Sequence, residues 1–452
     1  MTDHPGPVVS PTPTPTSSAA DPPTDSPADP SADSPTDLPG PAETSSALAW
    51  FTDLSPAGRR AFRGAFLGYG LDSYDFWVLP LSLAAIATAF SLTTPQTGLL
   101  STATLVSSAL GGVIAGILAD RIGRVRTLMV TVLAYAVFTA LCGLAPNYET
   151  LLVFRALQGL GFGGEWAAGA ILVAEYASDR HRGRTVAMVQ SAWAVGWGLA
   201  VIVYTVVFNV FDEGTAWRVL FLTGAAPALL VFYLRRNLAE APLFLEHRQT
   251  HERPSLLTIF RRPLLNTTFF AALLATGCQG GYYTLATWVP SYLKNDRGLS
   301  VVGTGGYLTF LISGAYCGYL TGGYFTDRLG RKLTFRIFAV LSGIFIVLYT
   351  QLPAGANSYV LFLGFPLGFT SSAIFSGMGA YLSELYPSGV RGVGQGFTYN
   401  VGRAVGAFFP TVIGFLAVNY GIGGAMAFGA LAYALVVVAL FGLPETRARV
   451  LT

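Results

Sequence analysis

The chain has 452 residues, of which 52% are hydrophobic and only 11% charged, with a formal net charge of +3. A soluble domain carries about 25% charged residues, so a chain this apolar has too little polar surface to cover itself in water, and lipid is the expected solvent for much of it. Its basic residues sit in short clusters between apolar runs, which argues for membrane orientation and against a nucleic-acid-binding face.

In chain order, residues 1–55 come first. They hold eight carboxylates and no Lys or Arg, and Pro, Ser, Thr, Asp and Ala dominate them. Such a segment has too little apolar surface to offset the entropy of ordering, so a disordered cytoplasmic tail is expected. It lacks the basic start and apolar core of a signal peptide. A helix crossing about 30 Å of hydrocarbon needs about 20 apolar residues. Runs of that kind lie near 62–90, 96–119, 126–145, 149–176, 184–210, 217–236, 264–293, 302–326, 333–352, 357–385, 391–419 and 421–443. This reads as an all-α integral membrane protein of twelve transmembrane helices: a six-helix half over 56–236, a linker at 237–263, and a second half over 264–452 ending in a short cytoplasmic tail. Glycine, with 52 residues, recurs inside the runs and suits close helix approach in lipid. The alternating short strands of a membrane barrel are not seen. Cys142, Cys278 and Cys317 lie within apolar runs, without metal-ligand spacing, and read as small buried hydrophobes.

The loops set a direction. With the N-terminus inside, 22 Lys and Arg fall in inner loops, and only Arg218, Lys294 and Arg297 in outer ones; Arg155 and Arg403 lie within spans. The positive-inside rule then places both termini in the cytoplasm, in a cytoplasmic membrane, and supports an even number of spans.

The two halves echo one another. Gly116, Asp120, Arg121, Gly123, Arg124 and Arg126 follow span 2; Gly323, Asp327, Arg328, Gly330, Arg331 and Lys332 follow span 8. Glu175 with Arg182-Gly183 follows span 4, and Glu384 with Arg391-Gly392 follows span 10. Leu238-Ala-Glu-Ala-Pro in the linker matches Leu443-Pro-Glu-Thr-Arg at the C-terminus. Three motifs in one order at nearly one offset mean a duplicated six-helix unit. Asp and Arg at short inner turns can pair and brace helix ends, so these residues read as a cytoplasmic gate rather than as substrate ligands.

With its G-x-x-x-D-R-x-G-R loop present twice, the chain resembles the major facilitator superfamily over roughly residues 60–447. GYGLDSYDFWVLP in span 1, RALQGLGFGGEWAAGAILVAEYA in span 4 and YNVGRAVGAFFP in span 11 are similar to the proton symporters of sialic acid, aromatic acids and other metabolites. The resemblance implies a secondary transporter, not an enzyme, working as a monomer by alternating access, with the motif loops as its gate.

Charges within the spans cost at least about 2.5–3.5 kcal/mol each and are functional candidates by default. Asp72 and Asp75, three residues apart in span 1, should share a helix face. Two close carboxylates in a low-dielectric site repel, which favours retention of a proton by one of them. Asp75 is the preferred carrier of a symported proton, and Glu165 in span 4 is a second candidate. The resemblance adds that relatives with this acidic span-1 motif depend on it for transport. It also ties Arg155 to proton coupling, or to attraction of an anion. Arg403 in span 11 offers a planar fork, either for the substrate's acid group or as counter-ion to Asp72 or Asp75. Gln190, Trp193 and Trp197, then Gln279, Tyr282, Tyr283 and Trp288, then Tyr316, Tyr399 and Asn400, are candidates for the cavity wall.

Other chemistry finds no support. The only lysines, Lys294 and Lys332, do not follow a phosphate-loop pattern. Gly159-x-Gly161-x-x-Gly164 matches a dinucleotide fingerprint but lies within an apolar run with no preceding strand. No metal or cofactor is expected. The expected function is proton-coupled uptake of a small organic anion such as a carboxylate or a sialic-acid-like metabolite. The alternatives are proton-coupled efflux of drugs or metabolites and, from another class, a membrane-bound sensor or enzyme.

Overall fold

Ser55 opens the first long helix: its hydroxyl accepts the Gly58 N–H at 3.0 Å, and Pro56, whose missing donor costs nothing there, takes the first helical position. The helix, α1, runs Pro56–Ala89. After it come α2 (Thr94–Ile122), α3 (Arg124–Cys142), α4 (Tyr148–Phe162), α5 (Arg182–Val210) and α6 (Glu213–Thr223). The second half supplies α7 (Leu264–Ser291), α8 (Val301–Leu329), α9 (Arg331–Gln351), α10 (Asn357–Glu384), α11 (Arg391–Gly406), α12 (Phe409–Ala427) and α13 (Ala430–Ala439).

This computed structural model describes residues 49–52, 54–163, 182–229, 256–353 and 355–447, without the side chains at 49, 50, 119, 120, 124, 182–184, 186, 256 and 388. The chain divides into residues 1–46 and 47–452, and all of these helices belong to the second unit.

Helices occupy all twelve expected runs among the described residues, and no strand is found there. Two runs are broken. Span 11 consists of α11 and the first part of α12, interrupted at Ala407–Phe408 because Pro410 cannot donate to the preceding turn. Span 12 begins where α12 kinks at Gly421 (φ 70°) and breaks again before Gly429. Six described helices are long and apolar enough to cross a membrane. The 34-, 28- and 29-residue helices α1, α7 and α8 have the length but carry polar groups on their inner faces. Outward, leucines, isoleucines and phenylalanines such as Leu110, Ile114, Ile202, Phe362 and Phe441 stand exposed, as lipid-facing residues do.

The packing repeats the duplication. In the first half α1 packs on α5, α2 on α4, α3 on α4 and α3 on α6; in the second, α7 packs on α11, α8 on α10, α9 on α10 and α9 on α13. Between halves, α5 meets α8, α2 meets α11 and α12, and α1 meets α7, as a two-fold pseudo-axis requires. The motif glycines explain one equivalence. Gly123 (φ 101°) alone separates α2 from α3, and Gly330 (φ 90°) alone separates α8 from α9, a reversal that a side chain at that φ would strain. These two glycines mark one end of the bundle, the motif end. Three helices starting at the other end are closed by side chains instead: Asn147 on Thr150 N–H, Asp212 on Thr215 N–H and Ser300 on Gly303 N–H, at 2.9, 3.0 and 3.1 Å.

Candidate functional site

A cavity lies where the two halves face each other. Its wall combines Tyr69, Asp72 and Phe76 of α1, Phe162 at the end of α4, and Gln190 and Trp193 of α5 with Gln279, Tyr282 and Tyr283 of α7, Tyr319 of α8, Phe375 and Met378 of α10, and Tyr399 and Arg403 of α11. About 50 Å³ is open to the centre of a water molecule, room for a few waters as it stands. The lining is mostly aromatic: Phe76 packs against Phe162 and Trp193 with ring centroids 5.9 and 5.4 Å apart, and Phe375 meets Tyr282 edge-on at 5.4 Å.

Arg403 is the cation of this cavity. Its guanidinium lies 5.2 Å from the Tyr399 ring centroid and 5.9 Å from that of Phe162, and the hydroxyls of Tyr399, Tyr283 and Tyr69 surround it. Its Nε has no hydrogen-bond partner, and no described carboxylate forms an ion pair with it. Tyr69 stands within electrostatic reach of both Asp72 and Arg403. Gln279 organises the surroundings: it accepts the Tyr283 hydroxyl at 2.8 Å and donates to the Tyr399 carbonyl at 3.0 Å. Trp193 donates its indole N–H to the Tyr282 hydroxyl at 2.6 Å, a bond between the two halves.

Asp75 enters a different compartment, inside the first half. It is fully buried, and its Oδ2 accepts the Gln158 amide of α4. Arg155 of α4 and Thr139 and Cys142 of α3 complete the surroundings. Arg155 is 2% exposed, lies 5.9 Å from the Phe221 ring centroid, and keeps Nε and Nη1 without partners.

At the motif end of the second half, Arg331 holds Glu384 through two bonds of 2.8 and 3.0 Å and Asp327 at 3.1 Å. Glu384 also accepts the Thr446 hydroxyl, and Arg391 donates to the Ser383 carbonyl at 3.1 Å. Glu445 caps α9 by accepting the N–H groups of Arg331 and Lys332, each at 2.9 Å. Burial opposes its charge, but these bonds and those from Arg447 and Thr446 hold its carboxyl below the usual range. The opposite end joins the halves directly. Lys294 pairs with Glu213 at 2.6 Å, Thr102 donates to the Ala407 carbonyl at 2.6 Å, and the backbones at Gly98 and Gly414 lie too close to Pro410 and Thr94 for any side chain.

The family model of the Major Facilitator Superfamily matches residues 65–322 and 307–452. The chain belongs to the Major Facilitator Superfamily. A probable 4-methylmuconolactone transporter of Cupriavidus pinatubonensis is 38% identical to it over 88% of this chain and 93% of that one. A sialic acid transporter of Escherichia coli is 28% identical over 88% and 96%. The crystal structure of a D-xylose–proton symporter matches with a TM-score of 0.71 at 20% identity, covering 87% and 99%, and shares the fold. This facilitator is thus an integral membrane protein and a secondary transporter of small molecules, and not an enzyme.

Of the residues singled out from sequence, Asp72, Arg403, Gln279, Tyr282, Tyr283, Gln190, Trp193 and Tyr399 line the facilitator's cavity. Asp75 does not share it with Asp72: three residues turn a helix by about 300°, which leaves the two side chains about 60° apart, Asp72 on the cavity and Asp75 on Gln158 of α4. Tyr316 is 37% exposed on the outer side of α8, and Tyr319, one turn on, takes the place expected for it. Asn400 is off the cavity too, donating to the Gly396 carbonyl at 2.9 Å beside Gly112 of α2. Trp197 stacks on Trp77 at 3.8 Å within the first half. Trp288 donates to the Pro410 carbonyl at 3.1 Å. Gly116 and Gly323 face open space, so close packing does not require glycine there. Arg121 is exposed, and Arg328 bonds the Tyr324 hydroxyl. Glu165, Glu175 and the side chains of Asp120, Arg124 and Arg182 lie outside the described residues. Sequence reasoning passed over Tyr69, Phe76, Phe162, Phe375 and Met378, along with Gln158. Tyr69 and Phe76 sit three before and four after Asp72, a spacing that could have found them.

Proposed function

We propose that this facilitator is a proton-coupled symporter that takes up a small organic anion. The observation that carries the reading is Arg403: a permanent cation in a cavity built from both halves, with tyrosine hydroxyls around it and no described carboxylate ion-paired to it. A guanidinium offers a carboxylate two parallel donors, and the aromatic walls suit the flat or cyclic body of such a substrate. The names of the two relatives, a muconolactone and a sialic acid transporter, support an organic acid. Arg403 is the substrate anchor, with Gln279, Tyr282, Tyr283, Gln190 and Trp193 as further contacts. Asp75 carries the proton with Arg155 beside it; Asp72 tunes the cavity's charge. The loop charges favour a cytoplasmic membrane with both termini inside. The motif end is then cytoplasmic, and the joined opposite end is the closed outer gate of a monomer.

The test is purified full-length protein in liposomes holding a pH dye, given a panel of carboxylates, sugars and cationic drugs. A carboxylate should drive proton entry, and Asp75→Asn should abolish it while leaving exchange of substrate for substrate. Proton movement with cationic drugs alone would sink the organic-anion reading. Accumulation by everted vesicles and not by intact cells would reverse the direction.

A further inference from the structure

We infer that Gln158 is a positioning residue that holds Asp75 in its proton-bound form, an inference that rests on Asp75 being the proton carrier. Helix α4 carries Gln158 and Arg155 one turn apart, and both are at least 98% buried beside Asp75. The Gln158 amide donates to Asp75 Oδ2, while Asp75 Oδ1 and Gln158 Oε1 have no partner. Two orphaned acceptors on one bonded pair are what an ionised acid leaves behind. A proton on Oδ1 removes the deficit: the acid O–H donates to the amide oxygen, the amide N–H donates to the other acid oxygen, and the pair closes without charge. No other described group facing Asp75 offers a donor and an acceptor side by side, although the Thr139 hydroxyl, itself without a partner, also reaches Asp75. Thr139 and Cys142 present one hydroxyl and one thiol from α3, and Tyr74, on the same helix as Asp75, is bonded to Thr223. Arg155 suits the opposite state. Its Nε and Nη1 are unpartnered and it forms no ion pair with Asp75 here, so it stands one helical turn away as the natural partner of the carboxylate that forms when the proton passes to water.

The amide N–H bond is made to either form of the acid and favours the carboxylate, whereas the bond to the amide oxygen is made by the protonated acid alone. The proposal predicts that the second outweighs the first, so that losing the amide destabilises the protonated acid more. Purified full-length protein is titrated while the carboxyl C=O stretch is followed by infrared difference spectroscopy, in wild type, Asp75→Asn, Gln158→Met and Gln158→Asn. Asp75→Asn should remove a titrating band. Gln158→Met, close in shape, should move that band's midpoint down by about one pH unit, and Gln158→Asn, a shorter amide, should recover part of the shift. A merely structural role would change thermal stability and leave the midpoint alone. If Asp75→Asn removes the band but Gln158→Met leaves its midpoint unchanged or raises it, the role of Gln158 is overturned and the proton site stands. If Asp75→Asn leaves every band in place, both fall.

Discussion

Asp72 and Asp75 are one helical turn apart and belong to two different kinds of compartment. The cavity around Asp72 and Arg403 draws its wall from both halves. The compartment around Asp75, Arg155 and Gln158 is built, among the described residues, from α1, α3 and α4 of the first half. When two rigid halves rock, a wall shared between them is taken apart and remade, whereas a compartment inside one half keeps its geometry. The proposed substrate site is therefore open to change by the cycle and the proposed proton site is protected from it, with Ser73, which bonds the Trp193 carbonyl, lying between the two.

The largest effect should come from removing the guanidinium of the shared cavity. Arg403→Lys keeps the charge and loses the fork; carboxylate-driven uptake in liposomes should fall about 10–100-fold, from the loss of a charge-assisted bond. If Arg403→Lys transports normally, the guanidinium is a structural cation and the comparison collapses. A middle-sized effect is expected at the bond crossing between halves. Trp193→Phe deletes the donor to Tyr282, worth about 0.5–1.5 kcal/mol. The balance between inward- and outward-facing forms, read by labelling of single cysteines at each end, should shift about 2–10-fold. The proton titration of Asp75 should not move.

The smallest effect lies outside both compartments, at Glu445. Its carboxyl is held below the usual range by backbone N–H groups. The stabilisation from this cap is fully present above the unfolded carboxyl value of about 4.3 and is lost as pH falls through the lower folded value. Melting temperature in detergent should therefore drop more steeply for wild type than for Glu445→Gln as pH is lowered from 5 to 3. Parallel curves would show that the cap contributes nothing.

The helices were legible because apolar length and charge placement are local properties of a chain in lipid. The duplication was legible because Asp120 and Asp327 head equivalent loops. The cavity was half legible. Buried charges such as Arg403 and Asp72 are conspicuous in an apolar run, but Phe375 and Met378 look like any lipid-facing residue until the helix rotation is known. Tyr316 and Tyr319 make the point: sequence marks a tyrosine on that helix, and only packing against α10 decides which one faces inward. Periodicity could not separate Asp75 from Asp72, because the wall between their compartments is made by residues from distant helices.

The break in span 11 has an electrical consequence. Arg403 lies in the last turn of α11, where the helix stops at Gly406 and the Arg403 carbonyl accepts from Ala407 at 2.9 Å. Carbonyls at a helix end carry partial negative charge, worth about 0.3–1 kcal/mol to a nearby cation. A carrier has to return across the membrane without cargo, and an uncompensated cation at its centre would make that journey the slow one. Here Pro410 ends the helix just beyond the guanidinium, so on the proposed reading a diffuse backbone counter-charge travels with Arg403 on the empty leg and occupies none of the space a substrate anion needs.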